Sequence, residues 1–194
     1  MADTLPDLLR PGLALVLVGI NPSCYAVQRG HYFARPRNRF WPAFSHSQLS
    51  LTVRRGLGTD RLQPEHDVDL PRFGIGLTDL VKVPSAQAAH LPGAAFREEA
   101  PLAKRRLSAT GARMIAFHGM TAFRPFVRYG LGRSARGLEL GPQGLRLGDS
   151  ELFCLPNPSP ANARFSLSDL VEWYDRLADA LDRNLVNIHA TWRS

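Results

Sequence analysis

Cysteine is scarce in this sequence, which contains only Cys24 and Cys154. Two cysteines cannot form a disulfide framework, a four-cysteine metal site or an iron–sulfur site within one chain. No pair of histidines has the spacing of a metal site either. We therefore expect two reduced cysteines in a cytoplasmic protein that needs no metal and no cofactor.

Long apolar runs are also lacking. No run approaches the roughly 20 residues of a membrane span, and the first residues, MADTLPDLLRPG, lack the apolar region of a signal peptide. We therefore expect no membrane association. The 194 residues are 44% hydrophobic and 21% charged, which is ordinary for a globular protein. No linker, composition shift or repeat divides the chain, so we predict one domain over residues 1–194, acting as a monomer.

Lysine is nearly absent as well, because Lys82 and Lys104 are the only two. Arginine therefore supplies almost all of the basic side chains, and the net charge is +7. Arginine favours planar, bidentate contacts with phosphate. A GC-rich genome explains the same bias, so the charge is compatible with nucleic acid but does not identify a partner.

Short apolar runs alternate with helical patterns along the chain. The runs predict strands at residues 13–20, 72–81 and 113–117, and a pair of strands at 145–147 and 151–155. Helices are predicted at residues 38–49, 95–110 and 120–129, and from Ser166 to about residue 185. Ser166 and Asp169 resemble a capping box at the start of that last helix. The alternation predicts an α/β three-layer sandwich with a central, mostly parallel sheet.

Ligands of such sheets bind where loops leave the carboxyl ends of the strands. Loops of this kind are predicted at residues 21–39, 78–85 and 157–164, so we expect them to converge on one site. The first loop interleaves aromatic residues such as Phe33 with arginines such as Arg35 and Arg37. Aromatic rings can stack on an extruded base while arginines match the charge of a nucleic-acid backbone. The alternative is that the aromatic residues pack into the core.

The segment from Gly19 to Trp41, GINPSCYAVQRGHYFARPRNRFW, closely resembles a known motif. It is similar to the first motif of the mismatch-specific uracil/thymine DNA glycosylases, a branch of the uracil-DNA glycosylase superfamily, which reads approximately GINPGxxxxxxGHxFxxPxNRFW. A second family motif, an NPS loop before the last helix, matches residues 157–159. The resemblance runs in order from about residue 13 to 181. Ser23, Cys24 and Arg37 depart from the family pattern, which affects the expected substrate preference more than the reaction class.

The resemblance implies a uracil-DNA glycosylase-like fold and a monofunctional DNA-repair enzyme. Such an enzyme flips uracil out of a G mismatch, hydrolyses its N-glycosidic bond and leaves an abasic site, which starts base-excision repair. Thymine and other damaged bases are further candidate substrates. The implied partner is double-stranded DNA with a G·U or related mismatch, and single-stranded DNA is a second candidate.

Three residues are candidates for catalysis. The resemblance gives Asn21 the role of positioning a water, since an amide can accept a hydrogen bond from water but is a poor base. Asp79 stands where relatives carry other residues, and a carboxylate there can accept a proton from water or stabilise the sugar cation. We hypothesise that Asp79 and Asn21 share the water; the alternative is that Asp79 caps a turn or pairs with an arginine. Ser85 aligns with a serine or threonine that contacts the water in relatives, or it is a local cap.

The remaining candidates follow from the same resemblance. Phe33 is expected to stack on the extruded base. Base-binding is also expected of the Ile20 backbone N–H and of the side chains Tyr25, His31 and Asn38. The loop at residues 157–164 is the candidate wedge, and its predicted DNA-binding residues are Ser159, Ala161, Asn162 and Arg164. Asn162 or Arg164 is the expected plug or phosphate contact. Ala161, Asn162 and Ala163 replace the bulkier plug of some relatives, and weak plugging predicts weaker discrimination of the opposite base. His118, alone at a strand end, is predicted to be structural.

Two other readings remain open at this point. A non-catalytic nucleic-acid-binding domain of the same fold would keep the basic surface and Phe33 but would not need Asn21 and Asp79. An unrelated α/β enzyme acting on free nucleosides would need neither a wedge loop nor an arginine-rich face.

Overall fold

The computed structural model describes residues 3–87 and 90–191. Five strands form a single sheet in the order β2-β1-β3-β5-β4. The strands are β1 (Leu15–Gly19), β2 (Ile75–Asp79), β3 (Met114–His118), β4 (Gly141–Leu147) and β5 (Ser150–Leu155). Neighbours pair in parallel except β4 and β5, which are antiparallel. The predicted strands and the mostly parallel α/β sheet are therefore confirmed.

Six α-helices surround the sheet in the described part of the chain. They are α1 (Cys24–Arg29), α2 (Phe40–His46), α3 (Leu51–Leu57), α4 (Gly93–Thr110), α5 (Met120–Pro125) and α6 (Leu167–Thr191). The chain also contains two 3-10 segments, Gln48–Ser50 and Pro64–Phe73, and a π-helical turn, Phe126–Gly130. None of the helices that the structure describes is both long enough and apolar enough to cross a bilayer.

Strand β1 is buried on both faces, and its alternating side chains enter two separate cores. Leu15 and Leu17 pack into one core together with residues of α2 and α6. Val16 and Val18 pack into the other with residues of α4 and α5. Side chains of a strand alternate between the two faces of the sheet, so a continuous apolar run is what a central strand between two helical layers requires. The three predicted layers are confirmed.

The last helix begins as predicted but ends later. Ser166 Oγ accepts a hydrogen bond from Asp169 N (3.1 Å), and Asp169 Oδ2 accepts one from Ser166 N (2.7 Å). This reciprocal pair is the predicted capping box. The helix was expected to end near residue 185 and continues to Thr191, because neither glycine nor proline interrupts residues 182–191.

Helix α3 and the 3-10 segment Pro64–Phe73 were not predicted, and two further regions differ from the prediction. The region 21–39 was predicted to be a loop, yet it contains α1, where Ser23 Oγ accepts from Ala26 N at the start and Gly30 (φ 77°) ends the helix. The helix predicted at residues 120–129 is α5 followed by the π-helical turn. The change comes at Pro125, which has no N–H with which to continue the α-helical hydrogen bonding.

Candidate active site

A cleft of about 1150 Å³ opens at the carboxyl ends of the parallel strands. It is lined by residues from the ends of β1, β2 and β3 and from all three loops that the sequence predicts to converge. Ten predicted site residues lie in its wall: Ile20, Asn21, Phe33, Asn38, Asp79, Ser85, Ser159, Ala161, Asn162 and Arg164. Convergence of the loops is thus confirmed, while the role of each residue is a separate question.

Asn21 follows β1, and its amide is held in one orientation. Its Nδ2 donates to Val83 O (2.9 Å) and to Ser85 Oγ (2.8 Å). No residue that the structure describes donates to Asn21 Oδ1, which leaves this oxygen as the acceptor that Asn21 can offer to a bound molecule. The hydrogen-bond partners of Nδ2 therefore determine which atom of Asn21 is available in the cleft.

Ser85 links the loop after β2 to the loop after β1. Its Oγ donates to Gln87 O (2.9 Å) and accepts from Asn21 Nδ2. Its backbone N donates to Pro22 O (3.2 Å), and its carbonyl accepts from Cys24 N (3.3 Å). Ser85 is therefore placed to orient Asn21, in addition to any contact that it makes with a ligand.

Asp79, the last residue of β2, presents a buried carboxylate to the cleft. The residue is 4% exposed, and no described residue hydrogen-bonds to its Oδ2 atom. Burial raises the pKa of Asp79 to about 7, because little water is available to solvate its charged form. The carboxylate packs against Gly19, where a Cβ atom would overlap Asp79 Oδ1. Glycine at position 19 therefore provides the space that Asp79 occupies.

A charged cluster lies behind Asp79. Asp7 accepts from Lys82 Nζ (2.7 Å) and Thr78 Oγ1 (2.6 Å), and lies 3.3 Å from Arg106 Nε. Lys82 and Arg106 favour the ionised form of Asp79, while Asp7 opposes it. The segment that carries Asp7 is fixed to the edge of β2 by two hydrogen bonds between the backbones of Leu8 and Leu77. The carboxylate of Asp79 thus sits beside cations that are largely engaged by another acid.

Phe33 has the geometry of a stacking platform. One face of its ring is stacked on Phe40, with centroids 4.1 Å apart and an interplanar angle of 20°. His118 meets the ring edge-on at 5.3 Å. Phe33 also has a φ of 55°, a left-handed conformation that costs a bulky residue free energy and is concentrated at functional sites.

His118 lies deeper in the cleft than the sequence indicates. It is 1% exposed, and its Nε2 lies 3.1 Å from the Tyr174 hydroxyl. Burial lowers the pKa of His118 to about 3, so the ring is neutral at physiological pH. These contacts support the structural role predicted for His118, with the addition that it braces Phe33.

Asn38 and Ile20 line the cleft, and their polar groups make local contacts. Asn38 Oδ1 accepts from Phe40 N (2.9 Å) at the start of α2. The Ile20 carbonyl accepts from Val81 N (2.9 Å), which ties the end of β1 to the residues after β2. Asn38 therefore also acts as a helix-start residue, a function that the motif did not indicate.

His31 and Tyr25, both predicted to bind the base, do not lie in the wall of the cleft. His31 Nδ1 lies 2.9 Å from Asp67 Oδ1, and Asp67 Oδ2 accepts from Tyr32 N (2.7 Å). The buried Asp67 thus draws His31 toward the 3-10 segment. Tyr25 is 39% exposed on α1, a helix that the prediction of an irregular loop had missed.

The loop at residues 157–164 is held together internally. Asn157 Oδ1 accepts from Ser159 N (2.9 Å), and Asn162 Nδ2 donates to Asn157 O (3.0 Å). The side chain of Asn162 is therefore used within the loop, which argues against its predicted use as a plug. Ala161 and Arg164 are exposed, and the Arg164 guanidinium lies 5.5 Å from the centre of the Phe165 ring.

Within residues 3–87 and 90–191, no group of three or more His, Cys, Asp or Glu side chains is arranged to hold a metal ion. The cleft that the structure describes combines the oriented amide of Asn21 and the buried carboxylate of Asp79 with further polar side chains, beside the aromatic ring of Phe33. A mostly parallel sheet with such a cleft at its carboxyl edge defines the class as an α/β protein with an aromatic-lined candidate binding site.

The sequence pattern of the uracil DNA glycosylase superfamily matches residues 6–178, and the chain belongs to this superfamily. Membership implies a DNA-repair hydrolase of N-glycosyl bonds that acts on DNA. A solution NMR structure from Methanosarcina acetivorans, described as a candidate uracil DNA glycosylase, is 24% identical with a TM-score of 0.52. The match covers 88% of this chain and 92% of that one, and it supports the fold.

A second solved structure, a domain of unknown function from Bordetella bronchiseptica with bound citrate, is 14% identical with a TM-score of 0.36. The match covers 84% of this chain and 40% of that one, and a likeness this slight carries no argument. The predicted resemblance is thus confirmed at the level of the superfamily, while the mismatch-specific branch stays a prediction.

Proposed function

We propose that this chain is a monofunctional uracil-DNA glycosylase of the mismatch-specific branch. It acts as a cytoplasmic monomer on uracil paired with guanine in double-stranded DNA. The observation that carries the proposal is the presence of Phe33, Asn21 and Asp79 in the wall of one cleft. This combination supplies a stacking surface, an acceptor for a water and a carboxylate beside the reacting sugar.

The proposed reaction begins when the extruded uracil stacks on the open face of Phe33. The bond between C1′ of the deoxyribose and N1 of uracil breaks, and its electron pair leaves with the base. Positive charge that develops on the sugar is stabilised by ionised Asp79. A water that donates a hydrogen bond to Asn21 Oδ1 adds to C1′, and its proton passes to Asp79. The products are an abasic site and the uracil anion, which takes up a proton from solvent while Asp79 releases one.

Thymine is a further candidate substrate because it differs from uracil by one methyl group. The wall of the cleft includes Ala26, whose small side chain supports the admission of a methyl. Discrimination of a single methyl in an apolar site is worth only about 1–3 kcal/mol. We therefore propose slower, but measurable, excision of thymine from a T·G pair.

The proposal is tested by incubating the chain in excess over labelled oligonucleotides that contain U·G, U·A or T·G pairs or single-stranded uracil. Alkaline cleavage at the position of the base reports the abasic site. We expect excision of uracil from the U·G duplex, and competition by undamaged duplex that weakens steeply with salt. Binding without an abasic site on any substrate favours the non-catalytic alternative, and insensitivity to competitor DNA favours an enzyme of free nucleosides.

A Phe33→Ala variant is expected to excise uracil from U·G about 10- to 100-fold more slowly, since stacking on an aromatic side chain contributes roughly 1–3 kcal/mol per base. Phe33→Tyr keeps the ring and is the matched control, with a rate near that of the wild type. The measurement is kcat/KM on the U·G duplex, and equal values for Phe33→Ala and the wild type would show that the ring does not stack on the base.

A further inference from the structure

Arg39 binds the main chain of the loop before α6 through all three nitrogens of its guanidinium group. Its Nε donates to Pro158 O (3.3 Å), and its Nη2 donates to Ser159 O (2.8 Å) and Asn162 O (2.8 Å). Its Nη1 donates to Phe165 O. Four of the five N–H donors of an arginine side chain are thus engaged by carbonyl groups of residues 157–164, here called the wedge loop, and of Phe165, which follows it.

The position of Arg39 connects the wedge loop to the stacking platform. Its own backbone N donates to Pro158 O (3.2 Å), and the next residue, Phe40, carries the ring on which Phe33 is stacked. Two consecutive residues at the start of α2 therefore fix both the platform for the base and the loop on the other side of the cleft. Arg39 therefore contacts the wedge loop directly and precedes the residue that supports Phe33.

The contacts also determine which side of the wedge loop is free. Because its carbonyl groups point inward to Arg39, the side chains of Pro160, Ala161, Ala163 and Arg164 remain exposed. Apart from Arg164, whose guanidinium lies beside the Phe165 ring, these side chains are small and offer little bulk with which to fill a gap in DNA. What it can offer to a duplex is a backbone of defined shape.

We infer that Arg39 is a positioning residue that holds the wedge loop in the shape required to open a base pair and contact the opposite strand. The inference rests on the proposed function. It predicts that substitution of Arg39 slows excision of uracil that must be separated from a paired base, and has little effect on excision of uracil that has no partner. A lysine cannot replace it, since a single ammonium group cannot reach carbonyls as far apart as those of residues 158 and 165.

The test compares wild type and Arg39→Lys on two duplexes that differ only opposite uracil, with guanine in one and a stable abasic analogue in the other. Both duplexes present the same phosphates, and the substitution keeps the positive charge. We expect kcat/KM for U·G to fall about tenfold or more, as the loss of more than one hydrogen bond implies. The value for unpaired uracil should change less than twofold.

Arg164→Gln provides the matched control, because it removes an exposed positive charge from the same loop. This variant should bind both duplexes more weakly, and to the same extent. The salt dependence of its binding should fall by about one phosphate contact, whereas Arg39→Lys should keep the salt dependence of the wild type. The inference would be overturned if Arg39→Lys lowered kcat/KM equally on the two duplexes, or lowered it on neither.

Hydrogen exchange of the free protein separates this inference from the proposed function. Backbone amides of the wedge loop should exchange faster in Arg39→Lys, while amides of β1 and β3 keep the protection of the wild type. Unchanged exchange in the loop contradicts the positioning role whatever the enzyme does. A wild-type chain that excises neither substrate overturns the proposed function, and with it the role in base-pair opening.

Discussion

An Asp79→Asn variant is expected to excise uracil from a U·G duplex roughly 1000-fold more slowly than the wild type under single-turnover conditions. Opposite unit charges about 4 Å apart interact by roughly 4 kcal/mol at an effective dielectric constant near 20, and the sugar is cationic only near the transition state. Asparagine has nearly the same shape but no charge and no useful basicity. Chemical quench of enzyme–DNA mixtures measures the rate without interference from product release.

The pH dependence of the same rate follows from the pKa of Asp79, which burial raises to about 7. The carboxylate must be ionised to stabilise a cation or to accept a proton. The wild-type rate should therefore rise as the pH increases through about 7 and then level off. The residual rate of Asp79→Asn should lack this rise, and a wild-type profile that is flat from pH 6 to 8 would count against a role for the ionised carboxylate.

Folding stability provides a control. The pKa of Asp79 is about 7 in the folded chain, whereas an aspartate in the unfolded chain has its ordinary pKa of 3.8. Between these values the folded chain holds a proton that the unfolded chain has lost, so Asp79 makes stability fall as the pH rises. Relative to the wild type, Asp79→Asn should gain stability from about pH 4 to 7, by up to the order of 4 kcal/mol. Burial lowers the pKa of His118, so this residue makes stability rise with pH. Its contribution is the same in the wild type and in Asp79→Asn and cancels in their difference. Denaturant unfolding at several pH values measures that difference.

A buried acid that reduces stability when ionised is a sign of function rather than of structure. Natural proteins keep such groups where the active form needs them. If Asp79→Asn were both inactive and less stable than the wild type at pH 8, loss of structure would explain the inactivity. Retention of stability together with loss of excision assigns the effect to the carboxylate itself.

The central sheet was predictable because its signal is local. Residues 13–20 form a continuous apolar run, and such a run bounded by a turn is typical of a strand covered on both faces. The capping box of α6 was predictable for a similar reason, since Ser166 and Asp169 are three residues apart. By contrast, α1 consists of six residues that look irregular in sequence, and short helices depend on their surroundings more than on their own propensity.

The candidate site was predictable only in part, because several of its contacts join residues far apart in the chain. The motif indicated His31, but its partner Asp67 lies 36 residues away and removes it from the cleft. The contacts between Arg39 and the wedge loop join residues about 120 positions apart in the chain, and no local sequence pattern predicts them. The sequence offered Asn162 as a candidate plug but did not indicate that its side chain donates a hydrogen bond to Asn157 O.

The second large effect is expected at Asn21. An Asn21→Ala variant should excise uracil from U·G roughly 100-fold more slowly, comparable to the loss of one oriented polar group at a reaction centre. The reason is that Val83 O and Ser85 Oγ hold Nδ2, so that Oδ1 is the atom presented to water. Affinity for the U·G duplex, measured by fluorescence anisotropy, should change little because alanine leaves the stacking platform intact.

Ser85→Ala separates orientation of the amide from direct contact with the water. In this variant Asn21 Nδ2 keeps its hydrogen bond to Val83 O and loses only the one to Ser85 Oγ, which is worth about 1 kcal/mol. The rate should therefore fall by less than about tenfold, and combining it with Asn21→Ala should add almost nothing, because a serine that acts by holding Asn21 has no effect once the amide is gone. A loss as large as that of Asn21→Ala, or a further loss in the double variant, would instead show that the Ser85 hydroxyl acts on the water itself.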